Sequence, residues 1–211
     1  MMDYNVDFGE RRFFELAYEE GSAGLVVDAD TRTALKATLF TLWENNEPHW
    51  PAKKALRPLA EQANWQWPEA EAAMRKQGER AADARDPVEQ AVFLHGEILM
   101  RSHHHARREQ INSTLTASPW AYKAIEVDAC LNTSKKTAPC GWRDGQMLPI
   151  TPETLGRIPP CSVLGCRCAW LLVDDLDAED TGLQAPVQKL TVPTRPATIP
   201  WWQAVLKKIL G

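Results

Sequence analysis

All five cysteines of this 211-residue chain lie between positions 130 and 168: Cys130, Cys140, Cys161, Cys166 and Cys168. The segment around them is rich in turn signals, with Asp144-Gly145, Gly156, Pro159-Pro160 and Gly165, and holds too little apolar area to build a large core of its own. Clustered thiolates would staple such a segment through a tetrahedral zinc ion. The expected ligands are Cys130, Cys140, Cys161 and one of Cys166 or Cys168. Four protein thiolates leave no open position for water, so the metal would be structural. One or two disulfides, or simply buried thiols, are the alternatives, and an odd count leaves one cysteine out of any complete disulfide set. The spacing also differs from a pair of two-residue knuckles. Cys166 and Cys168, on one extended segment, are expected to diverge unless the chain turns at Arg167.

Other chemistry is sparse. His103, His104 and His105 are adjacent, so on a helix they point about 100° apart and cannot all chelate one ion. His49 and His95 stand alone, and the chain has no HExxH motif and no phosphate-binding glycine loop. The enzyme alternative is a cysteine-dependent hydrolase in which Cys161 or Cys166 meets a histidine of the long helix in space. Arg167, between two cysteines, is expected to tie loop carbonyls or carboxylates together, with Glu126 and Asp128 as partners.

Charge sets further bounds. Residues 1–120 hold 14 Lys/Arg against 19 Asp/Glu, and residues 121–211 hold 10 against 9, so neither part is a broad nucleic-acid-binding surface. DNA contact would need Arg107, Arg108, Lys135 and Lys136 to form one patch. Nine tryptophans are many for this length; most are expected in the core. The opening MMDYNVDFGERRFF has early acidic residues and no long apolar run. No signal peptide and no membrane span are expected, and the location expected is the cytoplasm, where disulfides are rare.

The elements that would position these residues read as an α+β chain. Residues 1–118 are expected to be mostly helical. Phe13, Phe14, Leu16, Ala17 and Tyr18 suit a short amphipathic helix or an arm. Asp30 is the expected cap of a helix over 31–45 with Leu35, Leu39, Leu42 and Trp43 on one face. A second helical pattern over 50–64 should be disturbed by Pro58. Pro68, followed by Glu69 and Glu71, opens a helix expected to reach about Ala84. Asp86-Pro87 and Glu89 form an Asp version of the capping box for the longest helix, 87–115. A small cysteine-rich unit over 119–180 is expected to pack on that helix. Within it, 121–127 reads as a short strand or helical turn, 140–150 as a hairpin turning at Asp144-Gly145, and 168–173, CAWLLV, as the best strand. A proline-rich linker follows over 181–200. The end, 201–211, is an amphipathic helix in which Trp201, Trp202, Leu206, Ile209 and Leu210 would dock on the chain's own domain, on a partner or on a membrane surface.

Taken in order, these residues resemble the phage minor head, or head morphogenesis, proteins of the Mu F-like type. Arg107 and Glu109, followed by Asn112, stand where that family carries its helical Arg-x-Glu-like signature. Trp120 and Asp128-Ala129-Cys130 follow, Asp144-Gly145-Gln146 is similar to the family's hairpin, and Cys166-Arg167-Cys168 runs into an apolar strand as the closing motif does. The likeness spans about residues 87–175. The family's His-Pro before the closing cysteines is absent, and Pro159-Pro160-Cys161 occupies that region. The resemblance implies a structural protein of phage or prophage head assembly, virion-associated and binding portal or capsid components, with self-association open to it. Relatives of this domain are fused to bacterial toxins, which implies a toxin-associated effector as the alternative.

Overall fold

The computed structural model describes residues 9–117, 122, 124–128, 145–151 and 163–174. Proline and glycine punctuate its helical part. Helix α1 (Arg11–Gly21) buries Phe13, Phe14, Ala17 and Tyr18. Helix α2 (Ala29–Glu44) is capped two residues before the expected position. Asp28 rather than Asp30 accepts from the Thr31 backbone N–H at 2.8 Å and from the Thr31 hydroxyl at 2.7 Å, so Asp30 falls within the first turn. Helix α3 (His49–Gln62) runs through Pro58. Pro58 and Lys54, whose carbonyl loses its helical donor, are both exposed, so water can replace the missing bond.

Helix α4 (Pro68–Lys76) stops well short of Ala84. Gly78 has φ +101°, and the Glu79 and Gly78 N–H groups donate to the Met74 and Arg75 carbonyls, both at 3.1 Å. These two bonds form a Schellman ending, which a left-handed glycine makes possible. The short helix α5 (Ala81–Arg85) follows. Helix α6 (Pro87–Ala117) has 31 residues. Asp86 caps it by accepting from the Val88 N–H at 2.8 Å, whereas the Glu89 carboxylate pairs with Lys53 of α3.

Helix α6 is the spine. Its first two-thirds packs against α1 and α3 in a core that includes Phe14, Leu35, Leu39, Leu56, Trp67, Leu94 and Ile98. Its last turns, through Ile111 and Leu115, cover a second core containing Ile125, Val127, Leu148, Cys166, Cys168 and Trp170. Three short strands form that second unit: β1 (Ala124–Asp128), β2 (Gln146–Pro149) and β3 (Ala169–Val173). Their order is β2-β1-β3, antiparallel throughout, with Ile125 opposite both Leu148 and Leu172. Period-two alternation puts Ile125 and Val127 on the face beneath α6. Of the expected hairpin, the second arm is β2, which pairs with β1, and Gly145, at φ +68°, donates to the Val127 carbonyl at 2.8 Å; residues 140–144 lie outside the described residues.

The α+β reading, a helical region with a long helix followed by a small sheet unit near Cys166 and Cys168, is what the chain adopts. Trp43, Trp67 and Trp170 are core residues, while Trp50 is 76 % exposed. The linker over 181–200 and the end helix with Trp201, Trp202, Leu206, Ile209 and Leu210 lie outside the described residues. Among the described residues no helix is long and apolar enough to cross a membrane.

Candidate functional site

Helix α6 carries buried charge along one face. Glu97, Arg101 and His105 recur every fourth residue and so stack on a single side; they are 6 %, 3 % and 6 % exposed. Arg101 is the hub. Its Nε donates to Glu97 Oε2 at 3.3 Å, one Nη to Glu20 Oε2 of α1 at 3.3 Å, and the other Nη to the Val163 carbonyl at 3.4 Å. Glu20 Oε2 also lies 3.3 Å from His105 Nε2. Glu97 Oε1 accepts the Gly165 backbone N–H at 2.9 Å. Burial pushes the Glu97 carboxyl above the usual carboxylate range, against the opposing pull of Arg101, the Gly165 N–H and Arg167.

This cluster is an ionic clamp. Charges this buried persist only when paired and hydrogen-bonded, and here the pairing runs from α1 through α6 to the 163–168 turn just before β3. Gly165 fits the turn because its φ is +77°, a conformation L side chains rarely adopt, and the Gln77 side chain lies over it. Gly21 of α1 packs at the same place, with Leu94, Glu97 and Arg101 at ordinary van der Waals distance from where a Cβ would sit.

A second tie lies two turns further along. Arg107 Nε donates to the Trp170 carbonyl at 3.3 Å, and its Nη to Gln110 Oε1 at 2.6 Å. Glu109 accepts from Arg12 at 2.6 Å, an exposed pair on the flank of α1. Trp120 lies outside the described residues; Asp128 closes β1 opposite Ala169. Arg167 is exposed.

The expected structural zinc is overturned. Among the described residues no group of three or more His, Cys, Asp or Glu side chains is arranged to hold a metal ion. Cys166 and Cys168 instead meet each other, their sulfurs 3.4 Å apart inside the second core. The expected divergence of the two side chains fails for a simple reason: residues i and i+2 of an extended segment share a face, and it is Arg167 that points away. Cys130, Cys140 and Cys161 lie outside the described residues.

Of the remaining histidines, His95 and His104 are buried in the fold, and His49 and His103 are exposed. His95 Nε2 donates to the Glu47 carbonyl at 2.9 Å, its Nδ1 has no hydrogen-bond partner among the described residues, and burial pulls its pKa down. His104 is buried, and desolvation, aided by Arg101, His105 and His103, pulls it down to about 4. By helical spacing the opposite side of α6 borders a cavity of about 270 Å³ lined by Gly9, Trp43, Glu44, Asn46, Leu99, Ser102 and His103. There Trp43 Nε1 donates to Ser102 Oγ at 2.8 Å.

The Glu97–Arg101–His105 stripe is a feature that reading the apolar stripe of α6 passes over. Its signal was present in the four-residue spacing, but a charged stripe on a long helix ordinarily means a solvated face. Only the arrival of α1 and the 163–168 turn makes it interior. No family model matches this chain, and no curated protein and no solved structure is significantly similar to it.

Proposed function

We propose that the protein is a structural, interaction-type component of phage or prophage head assembly, similar to the Mu F-like minor head proteins, and that it binds portal or capsid components. One contact supports this reading: Arg107, at the position of the family's helical signature, donates to the carbonyl of Trp170, in the strand that Cys166-Arg167-Cys168 leads into. Two parts of the resemblance, 63 residues apart in the chain, meet at one joint. The ionic clamp adds to this, because its buried charges are committed to holding the sheet unit on α6. A rigidly mounted small unit suits docking, since preorganisation lowers the ordering cost of association. The hydrolase alternative draws little from Cys166 and Cys168, which are 6 % and 0 % exposed and closed to a bulky substrate.

The test is co-expression of the tagged chain with the portal and major capsid proteins of the same genome, followed by affinity capture and mass spectrometry. Portal or capsid protein is expected to co-purify. Deleting residues 198–211 is expected to remove most of that capture while leaving the melting curve unchanged. Retention of neither component by the full chain would sink the reading. Full capture by the shortened chain would remove the end segment from it.

A further inference from the structure

The 163–168 turn holds a pair of thiols that the head-assembly reading does not use. Cys166 Sγ and Cys168 Sγ are 3.4 Å apart, in contact, and a disulfide would need them to close by about 1.4 Å, to about 2.05 Å. Fixed backbone on both sides sets this approach. Upstream, Gly165 N–H is held by Glu97 and the Val163 carbonyl by Arg101. Downstream, Ala169 and Trp170 are in register with Asp128 and Val127 of β1. Between the two cysteines Arg167 turns outward to solvent, leaving the two sulfurs on the same side of the chain. Cys168 is fully buried while Cys166 is 6 % exposed, so a small reagent meets Cys166 first.

We propose that Cys166 and Cys168 are a redox-active dithiol that a hydroperoxide converts to an intramolecular disulfide. In the first step the Cys166 thiolate attacks the peroxide; an S–O bond forms, the O–O bond breaks, and with the thiol's proton one water leaves. In the second step Cys168 Sγ attacks Cys166 Sγ; the S–S bond forms, the S–O bond breaks, and hydroxide leaves with the Cys168 proton as a second water. Two thiols and one hydrogen peroxide become one disulfide and two waters, with sulfur oxidised and peroxide oxygen reduced. A reducing dithiol reverses the change by exchange. The closed ring spans only residues 166–168, so it constrains the unfolded chain little. Its effect is local, on the joint between the Glu97–Arg101 clamp and β3. This inference does not depend on the head-assembly reading.

The test uses the reduced full chain, treated with hydrogen peroxide under native conditions, freed of peroxide, unfolded in the presence of an alkylating agent and digested with trypsin. Trypsin cuts after Arg167 and would separate the two cysteines unless they are bonded to each other. The expected result is a joined pair of fragments, one spanning residues 158–167 and one beginning at Cys168, with fragment-ion masses placing the bond on Cys166 rather than Cys161 and two alkylatable thiols lost per chain. Dithiothreitol then parts them. The proposal is overturned if both cysteines remain fully alkylated, if either is bonded to Cys130, Cys140 or Cys161, or if Cys166 stops at a sulfinic acid with Cys168 still alkylated.

Discussion

His104 is held neutral inside the fold, and this sets a pH dependence. Its pKa is lowered from 6.5 to about 4, chiefly by burial, so between these values the unfolded chain binds the extra proton and the folded chain does not. Stability therefore rises with pH across that window. The contribution is fully present above 6.5 and is lost as pH falls toward 4. A shift of this size corresponds to roughly 3 kcal/mol. His95 is shifted the same way. Glu97 acts oppositely: its raised carboxyl pKa takes stability away as pH climbs past its unfolded value, which offsets part of the histidine effect. Urea unfolding at about pH 7 and about pH 4.5 is the measurement. His104→Gln is expected to lose about 1–3 kcal/mol less between the two than the unsubstituted chain. An equal loss in both would mean that His104 titrates normally in the fold.

Helix α6 does two jobs along its length, and the clamp is where they meet. Removing one partner of a buried ion pair leaves the other unsatisfied, at a cost of about 3–5 kcal/mol. Arg101→Met is expected to fall in that range, because Glu97 and Glu20 lose the buried cation that pairs them and the Val163 carbonyl loses one of its donors. Glu97→Leu alone takes the acceptor from the Gly165 N–H and one of two carboxylate partners from Arg101. The double variant replaces both charges with apolar groups, so its cost is expected to fall below the sum of the two by about 1–3 kcal/mol. Chemical denaturation of the four chains gives that coupling directly. Additive costs would show that the two side chains do not act as a unit.

At the scale of the molecule, two cores share one helix and are joined through the 163–168 turn. The helical core draws on α1, α2, α3, α4 and α6, whereas the sheet core rests on Ile111, Leu115 and three short strands. Small sheets of this size are marginal unless packed against a helix. Weakening the clamp should therefore loosen the sheet unit before the bundle. In Arg101→Met, amide hydrogen exchange in β1 and β3 is expected to speed up about tenfold or more, with a smaller change in α2 and α3. Equal acceleration in both would show one cooperative unit and no separable joint.

Much of this was legible in the residues themselves. Helical periodicity at Leu35, Leu39 and Leu42, the Asp86-Pro87 start of α6 and the apolar run AWLLV specify their elements through local geometry, and the structure carries each of them. Local rules failed where two neighbours competed, as when Asp28 took the cap from Asp30 and Gly78 ended α4 early. The site was hidden for a different reason. Cys166 and Cys168 read as metal ligands by type, but whether thiolates gather around an ion or around each other depends on where the chain brings the rest. Charged residues at four-residue spacing on a long helix, as at Glu97, Arg101 and His105, ordinarily mark a solvated face. Composition and spacing determined one long helix with a cysteine-bearing strand after it. Only tertiary structure decided that α1 and the 163–168 turn would close over that charged face, because desolvation, and with it the meaning of a buried charge, comes from segments far apart in the chain.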